Sequence, residues 1–284
     1  MRHLRAAQRL RRAGASALLA LCASLPGAAG AAAREDAAPT DAAMTGHEIY
    51  QRVVKNRFRS FHQDMTLASG DRGGNEQHTS LRMTWEDWRD PQEKAVDGFF
   101  SKTLIAYTAP FDIRYTAYLV IHKEQPPNDQ FVYLPSKRKV RRVNLRAETI
   151  FGTDFSFEDI VPREIESAAY QRLPDERVDG TPCFVVEATP KPEENSQYSR
   201  FLLDVEKQHF VPIRTRYWDT ESVEVKELMS PPATIQDFGG VFVPMKATMR
   251  NLQQDTYTAA TIEKLEPNPA LTKGTFDPRR LEGH

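Results

Sequence analysis

From Met65 onward the chain is a succession of short apolar segments, many alternating with polar residues and separated by turn signals, and this pattern restricts the fold most. Leu81, Met83 and Trp85 alternate with Arg82, Thr84 and Glu86, the period of two of a strand with one buried face. Met65 and Leu67 alternate likewise before a turn-rich stretch from Gly70 to Asn75. Further strand candidates are 99–107, 115–121, 131–134 and 140–145, then 184–188, 200–205, 211–218, 223–228, 241–250 and 256–265. Val178-Asp179-Gly180 and Phe238-Gly239-Gly240 read as hairpin turns. About eleven strands at hairpin spacing imply one extensive antiparallel sheet. Such a sheet must close or be covered, because bare edges and apolar faces aggregate.

Helices are few. Thr45-Gly-His-Glu48 has the form of a capping box, and Ile49, Tyr50, Val53, Val54 and Phe58 follow at helical spacing, so one amphipathic helix is expected to end near Arg59. A short helix is expected over 155–160 and a terminal turn over 278–281.

The N-terminus addresses the chain. Arg2, Arg5, Arg9, Arg11 and Arg12 precede an apolar stretch from Ala13 to Leu25 and a small-residue run through Gly30 to Ala33, the order of regions in a secretory signal. The apolar stretch falls short of the about 20 residues of a membrane span. Residue 21 before Cys22 is a leucine, where a lipidation site calls for small residues. We therefore expect a signal peptide over 1–30, a disordered lead over 31–44, and one β-rich domain over 45–284 that is free in the periplasm as a monomer. Five of the 38 Lys and Arg lie in the signal, leaving 33 against 39 Asp and Glu, a balance that argues against nucleic-acid binding. Cys183 is then the one thiol and is expected to be a buried, inert one.

Catalytic patterns are absent from the sequence. The seven histidines are scattered, with no two at metal-ligand spacing, and there is no nucleophile elbow or phosphate loop. Asp154, Glu158 and Asp159 are the one carboxylate cluster close in sequence; capping or a solvated turn accounts for such a group more readily than acid–base work. The chain reads as a non-enzyme without metal or cofactor.

Two features point elsewhere. Strands 99–107 and 115–121 are apolar on both faces, so the second face must bury against a protein layer or an apolar ligand. Lys137, Arg138, Lys139, Arg141 and Arg142 form a basic patch on a turn and the strand after it. Alternation sends Arg141 and Arg142 to opposite faces, one of them toward the inner side; the plainer reading is a solvated edge paired with Glu148 or Asp154.

The run from Phe131 through Tyr133-Leu-Pro135 to Arg141-Arg142-Val143, followed by Phe151-Gly-Thr-Asp-Phe-Ser-Phe-Glu-Asp159, resembles the outer-membrane lipoprotein-sorting-like proteins, periplasmic relatives of the Lol-pathway lipoprotein carrier. The likeness continues through Val178 to Cys183, Asp204 to Pro212, Gly239 to Pro244, Met249 to Asn251 and Phe276, and spans roughly 45–282. It implies a mainly β fold: an incomplete, curved antiparallel β-barrel with a few covering α-helices and a hydrophobic cavity for acyl chains. The implied function is a carrier of lipid or lipoprotein acyl chains toward the outer membrane. Candidate cavity residues are Trp85, Phe100, Leu104, Tyr118, Val120 and Tyr133, with Arg141 or Arg142 at the rim. The rival expectation is an accessory protein that docks on an inner-membrane exporter of the resistance-nodulation-division type through Lys137, Arg138 and Lys139.

Overall fold

The computed structural model describes residues 41–283 except 42, 126, 145, 146, 151, 161 and 162. The expected signal over 1–30 and most of the expected lead lie outside the described residues, as do Leu145 at the end of one predicted strand and Phe151 of the family-like block. The end of that lead is part of the fold: Met44 is buried in the core, and the Arg172 guanidinium donates to the Asp41 and Met44 carbonyls at 2.7 and 3.0 Å.

Helix α1 spans Gly46–Lys55 and starts with the capping box read from the sequence. Thr45 Oγ1 accepts from the Glu48 amide at 3.2 Å, and the Glu48 carboxylate accepts from the Thr45 amide at 2.7 Å. The helix stops before Arg59 because Asn56 engages another segment: its side chain donates to the Phe242 carbonyl and accepts from the Phe242 amide, both at 2.8 Å. Gly46 lies so close to β7 (Ala168–Val178) that a Cβ would stand 2.7 Å from the Arg172 amide nitrogen. That close approach explains a glycine at the first helical position.

The strands are β1 (Ser60–Asp71), β2 (Glu76–Asp87), β3 (Phe99–Ala109), β4 (Ala117–Lys123), β5 (Asp129–Leu134) and β6 (Lys139–Val143), then β7, β8 (Thr181–Pro190), β9 (Tyr198–Glu206), β10 (Pro212–Asp219) and β11 (Glu224–Met229). The short β12 (Ile235–Asp237) and β13 (Phe242–Pro244) form a separate hairpin, and β14 (Lys246–Asn251) and β15 (Thr256–Pro267) complete the sheet. Thirteen strands run in the order β6-β5-β4-β3-β2-β1-β15-β14-β11-β10-β9-β8-β7, with every pairing antiparallel. Among the described residues β6 and β7 do not pair with each other, so the sheet is an incomplete barrel. Both edges are blunted by charge: β6 exposes Lys139, Arg141 and Arg142, while β7 carries Pro174, Asp175, Glu176 and Arg177.

The described residues of the chain between those edges, within 144–167, form a strap on the inner face that includes α2 (Phe157–Ile160). Phe155 packs against both inner clusters, while Ile150 and Phe157 are buried with Ile105, Tyr107, Tyr118 and Val120. The other inner cluster joins Ile49 and Tyr50 of α1 to Phe184, Leu203, Tyr217 and Met249. On the outer face Leu104, Leu119 and Tyr133 are covered by Phe276 and by Leu281, which is fully buried in a terminal 3-10 turn. The doubly apolar strands are thus covered on both sides by this chain itself, by the strap within and the C-terminal segment without.

Candidate functional site

An apolar cleft of about 330 Å³ opens on the inner face, displaced from the doubly apolar strands toward the middle of the sheet. Its floor is Phe61 of β1, Met83 and Trp85 of β2 and Leu265 of β15; its walls are Val53 and Val54 of α1, Ile160 of α2, and Val241 and Val243 beside the small hairpin. The floor follows from alternation, since Phe61 lies opposite Trp85 and Gln63 opposite both Met83 and Leu265. Phe61 and Trp85 stack with centroids 5.6 Å apart. On α1, Tyr50, Val53 and Val54 fall within one helical stripe, which turns the same face to the core and to the cleft, and Arg57 follows just beyond the helix end.

Three guanidinium groups stand at the polar margin. Arg57 Nε donates to Asp87 at 3.1 Å and its Nη2 to Glu93 at 2.5 Å. Arg89, 1% exposed, bonds Asp87 at 2.5 Å and makes a two-pronged contact with Glu164 of the strap. Burial lowers the Arg89 pKa and the two carboxylates raise it, the second effect prevailing. Arg163 donates to Glu158 at 2.9 Å and lies over the Phe201 ring, 4.5 Å from its centroid. Burial pushes the Tyr50 phenol up to about 12, so it stays protonated and donates to the Arg163 carbonyl at 3.4 Å. Charges so matched hold the strap and α1 on the sheet and leave the cleft itself apolar.

Of the residues expected in a cavity, Trp85 lines this cleft, and Phe100 adjoins it, packed on the guanidinium of Arg89 and the ring of His122. Tyr118 and Val120 are on the inner face but are filled over by the strap. Leu104 and Tyr133 lie on the outer face beneath Leu281, because strict alternation along β3 and β5 sends them away from their inner neighbours Ile105 and Val132. Arg141 and Arg142 do point to opposite faces, as cross-strand partners of Val132 and Phe131, yet both are exposed at the sheet edge rather than at the cleft. Arg142 pairs with Asp129, not with Glu148 or Asp154. Lys137, Arg138 and Lys139 are exposed on the β5–β6 turn.

The carboxylate cluster is structural, and it is buried rather than on a solvated turn. Asp154 accepts from Thr256 Oγ1 at 2.5 Å and Thr258 Oγ1 at 2.8 Å. Glu158 binds Arg163 and Ser196, and Asp159 binds Ser156, Tyr198 and Lys226. Among the described residues no group of three His, Cys, Asp or Glu is placed to hold a metal. Cys183 is buried with Val178 and Ile213, and burial pushes its thiol up to about 11, which suits an inert core residue. The helix stripe was legible as Val53 and Val54, and Val243 as part of a strand, whereas Arg89 had no local signal.

The open antiparallel half-barrel is a fold shared with solved structures. The chain is similar to a structure described as an outer membrane lipoprotein-sorting protein domain from Vibrio parahaemolyticus: 22% identity over 84% of this chain and 98% of that one, TM-score 0.75. A DUF1329 family protein from Desulfovibrio piger gives 23% identity over 83% and 97%, TM-score 0.76. A LolA superfamily protein from Nitrosomonas europaea gives 16% over 82% and 97%, TM-score 0.63. A family model described as a protein of unknown function (DUF1329) matches residues 38–148. A second, described as an uncharacterized protein, matches residues 100–283, more than half of the chain, which belongs to that family. None of the curated proteins matches the chain. These findings agree with the family-like block read in the sequence.

Proposed function

We propose that the protein is a carrier that holds lipid, or the acyl chains of a lipoprotein, in the inner-face cleft for transfer toward the outer membrane. The observation that carries this reading is the cleft: ten apolar side chains from α1, α2, four strands and neighbouring loops converge where a covered sheet would otherwise be packed solid. At about 330 Å³ it lies at the lower end of the ~300–1,000 Å³ range of small-molecule sites. A longer chain therefore enters by widening the gap between α1 and the sheet, and ligand binding favours that wider state. The basic, signal-like leader supports a periplasmic setting for this work, with export through a cleaved signal peptide as part of the proposal. No helix among the described residues is long and apolar enough to cross a membrane.

Gently purified protein should release a lipid detected by mass spectrometry, and stripped protein should take up a fluorescent fatty acid. Val54→Asp places a carboxylate on the half-buried wall and should lower uptake at least about tenfold, the penalty of an unpaired charge in an apolar site. Protein that is always empty and takes up no fatty acid would refute the carrier reading.

A further inference from the structure

Among the described residues, four of the five exposed large apolar side chains stand at one end of the sheet, the fifth, Val96, lying between β2 and β3 at the other. Phe111 is 92% exposed and Tyr115 51%, both on the β3–β4 turn; Val223 and Leu252, each about half exposed, stand on the β10–β11 and β14–β15 turns. Antiparallel pairing puts all these turns, and the basic β5–β6 turn, at the same end. Ala117, just after the aromatic turn, pairs with Tyr133, just before the basic one, so the two are neighbours, roughly 10 Å apart at ~4.8 Å per strand.

The aromatic turn is built, not frayed. The Arg114 amide donates to the Pro110 carbonyl at 3.0 Å and the Tyr115 amide to the Tyr107 carbonyl at 2.9 Å, while Ile113 packs into the inner core. Tyr115 is held at φ 67°, an unusual conformation for a bulky residue. The Arg114 guanidinium lies 4.7 Å from the Tyr115 ring centroid. Beside them stand exposed Lys137, Arg138 and Lys139, and Asp112 is the single acidic residue on the two turns. The β10–β11 turn on the far half of the same rim is acidic, with Asp219, Glu221 and Glu224, while Asp255 of the β14–β15 turn pairs with Arg72.

We propose that the β3–β4 and β5–β6 turns form a docking edge for an anionic lipid bilayer. Phe111 and Tyr115 enter the interface, where aromatic rings are favoured, and Arg114 with the three cations of the basic turn meet lipid phosphates. A projecting pair of rings ringed by cations suits a lipid surface better than a protein. A stable protein interface needs about 800 Å² of contact per partner around a flat apolar centre. The acidic β10–β11 turn is repelled from the same surface and sets the tilt. The inference goes beyond the carrier reading and does not depend on what the cleft holds.

The test is co-sedimentation of the purified protein with vesicles of phosphatidylcholine alone or mixed with phosphatidylglycerol. Binding to the mixed vesicles should exceed binding to the neutral ones and fall with salt. Phe111→Ser with Tyr115→Ser, and separately Lys137→Gln with Lys139→Gln, should each weaken it at least about tenfold without changing thermal unfolding, since all four sites are exposed. In Phe111→Trp protein, vesicles should shift the added tryptophan's emission to the blue. No preference for anionic vesicles, or variants that sediment like the wild type, would overturn the proposal. Equally, capture of an exporter or other protein that these variants abolish, with vesicle binding unchanged, would assign the edge to a protein partner and overturn it. Fatty-acid uptake by the same variants should be normal, which separates failure here from failure of the carrier reading.

Discussion

Arg89 shows how a single side chain joins two distant parts of the chain. It follows the end of β2, is fully buried, and reaches both Asp87 and Glu164 of the strap. A buried cation is tolerable because its charge is matched; deleting it removes the guanidinium partner of Glu164, while Asp87 keeps Arg57 and Arg59. Arg89→Leu should therefore destabilise the fold by about 3–5 kcal/mol in urea unfolding. Glu164 carries a pH dependence of its own. Burial raises its carboxyl above the ordinary 4.5 although Arg89 opposes the rise. The folded state then holds the proton more tightly than the unfolded chain, so stability declines as pH climbs from 4.5 through the higher folded value. Glu164→Gln should abolish that part of the decline in a series of melting temperatures against pH. Asp64 acts in the opposite sense. Hydrogen bonds from Arg82 hold its carboxyl below 3.8, giving stability that is present above that value and lost as pH falls.

At the scale of elements the strap decides most. The Gly152-Thr-Asp-Phe155 run, part of the family-like block in the sequence, is the strap's anchor over the centre of the sheet. Asp154 receives two threonine hydroxyls from β15, and its own amide donates to Thr258 Oγ1 at 2.9 Å. Asp154→Ala should cost about 1–3 kcal/mol by leaving the Thr256 and Thr258 hydroxyls without their carboxylate acceptor, and hydrogen exchange should rise first in the described residues of 149–160. Alternation made most strands legible, β2 most plainly. Strand β7 escaped because an edge strand buries little: Gln171, Asp175, Glu176 and Arg177 give it no apolar period. The predicted strand over 241–250 is in fact two, β13 and β14, belonging to different sheets and divided at Pro244 and Met245. Proline lacks the amide a central strand requires.

At the scale of the molecule, the position of the cleft is the central result. Apolar residues on both faces of β3 and β4 suggested a ligand against those strands. The chain itself covers them, with Phe157 inside and Leu281 outside, and the vacant volume lies instead over β1, β2 and β15 beneath α1. The same molecule presents its aromatic and basic turns together at one end of the sheet, from segments separated by some twenty residues of sequence. Local sequence determined the strand periods, the capping box of α1, the lack of recognisable catalytic motifs and the family-like block, because each depends on near neighbours. Only the tertiary structure decided which apolar face is filled and which is left open, since that depends on where the strap and the C-terminal segment come to rest. Those are contacts between positions as far apart as Leu104 and Leu281, and no periodicity along the chain encodes them.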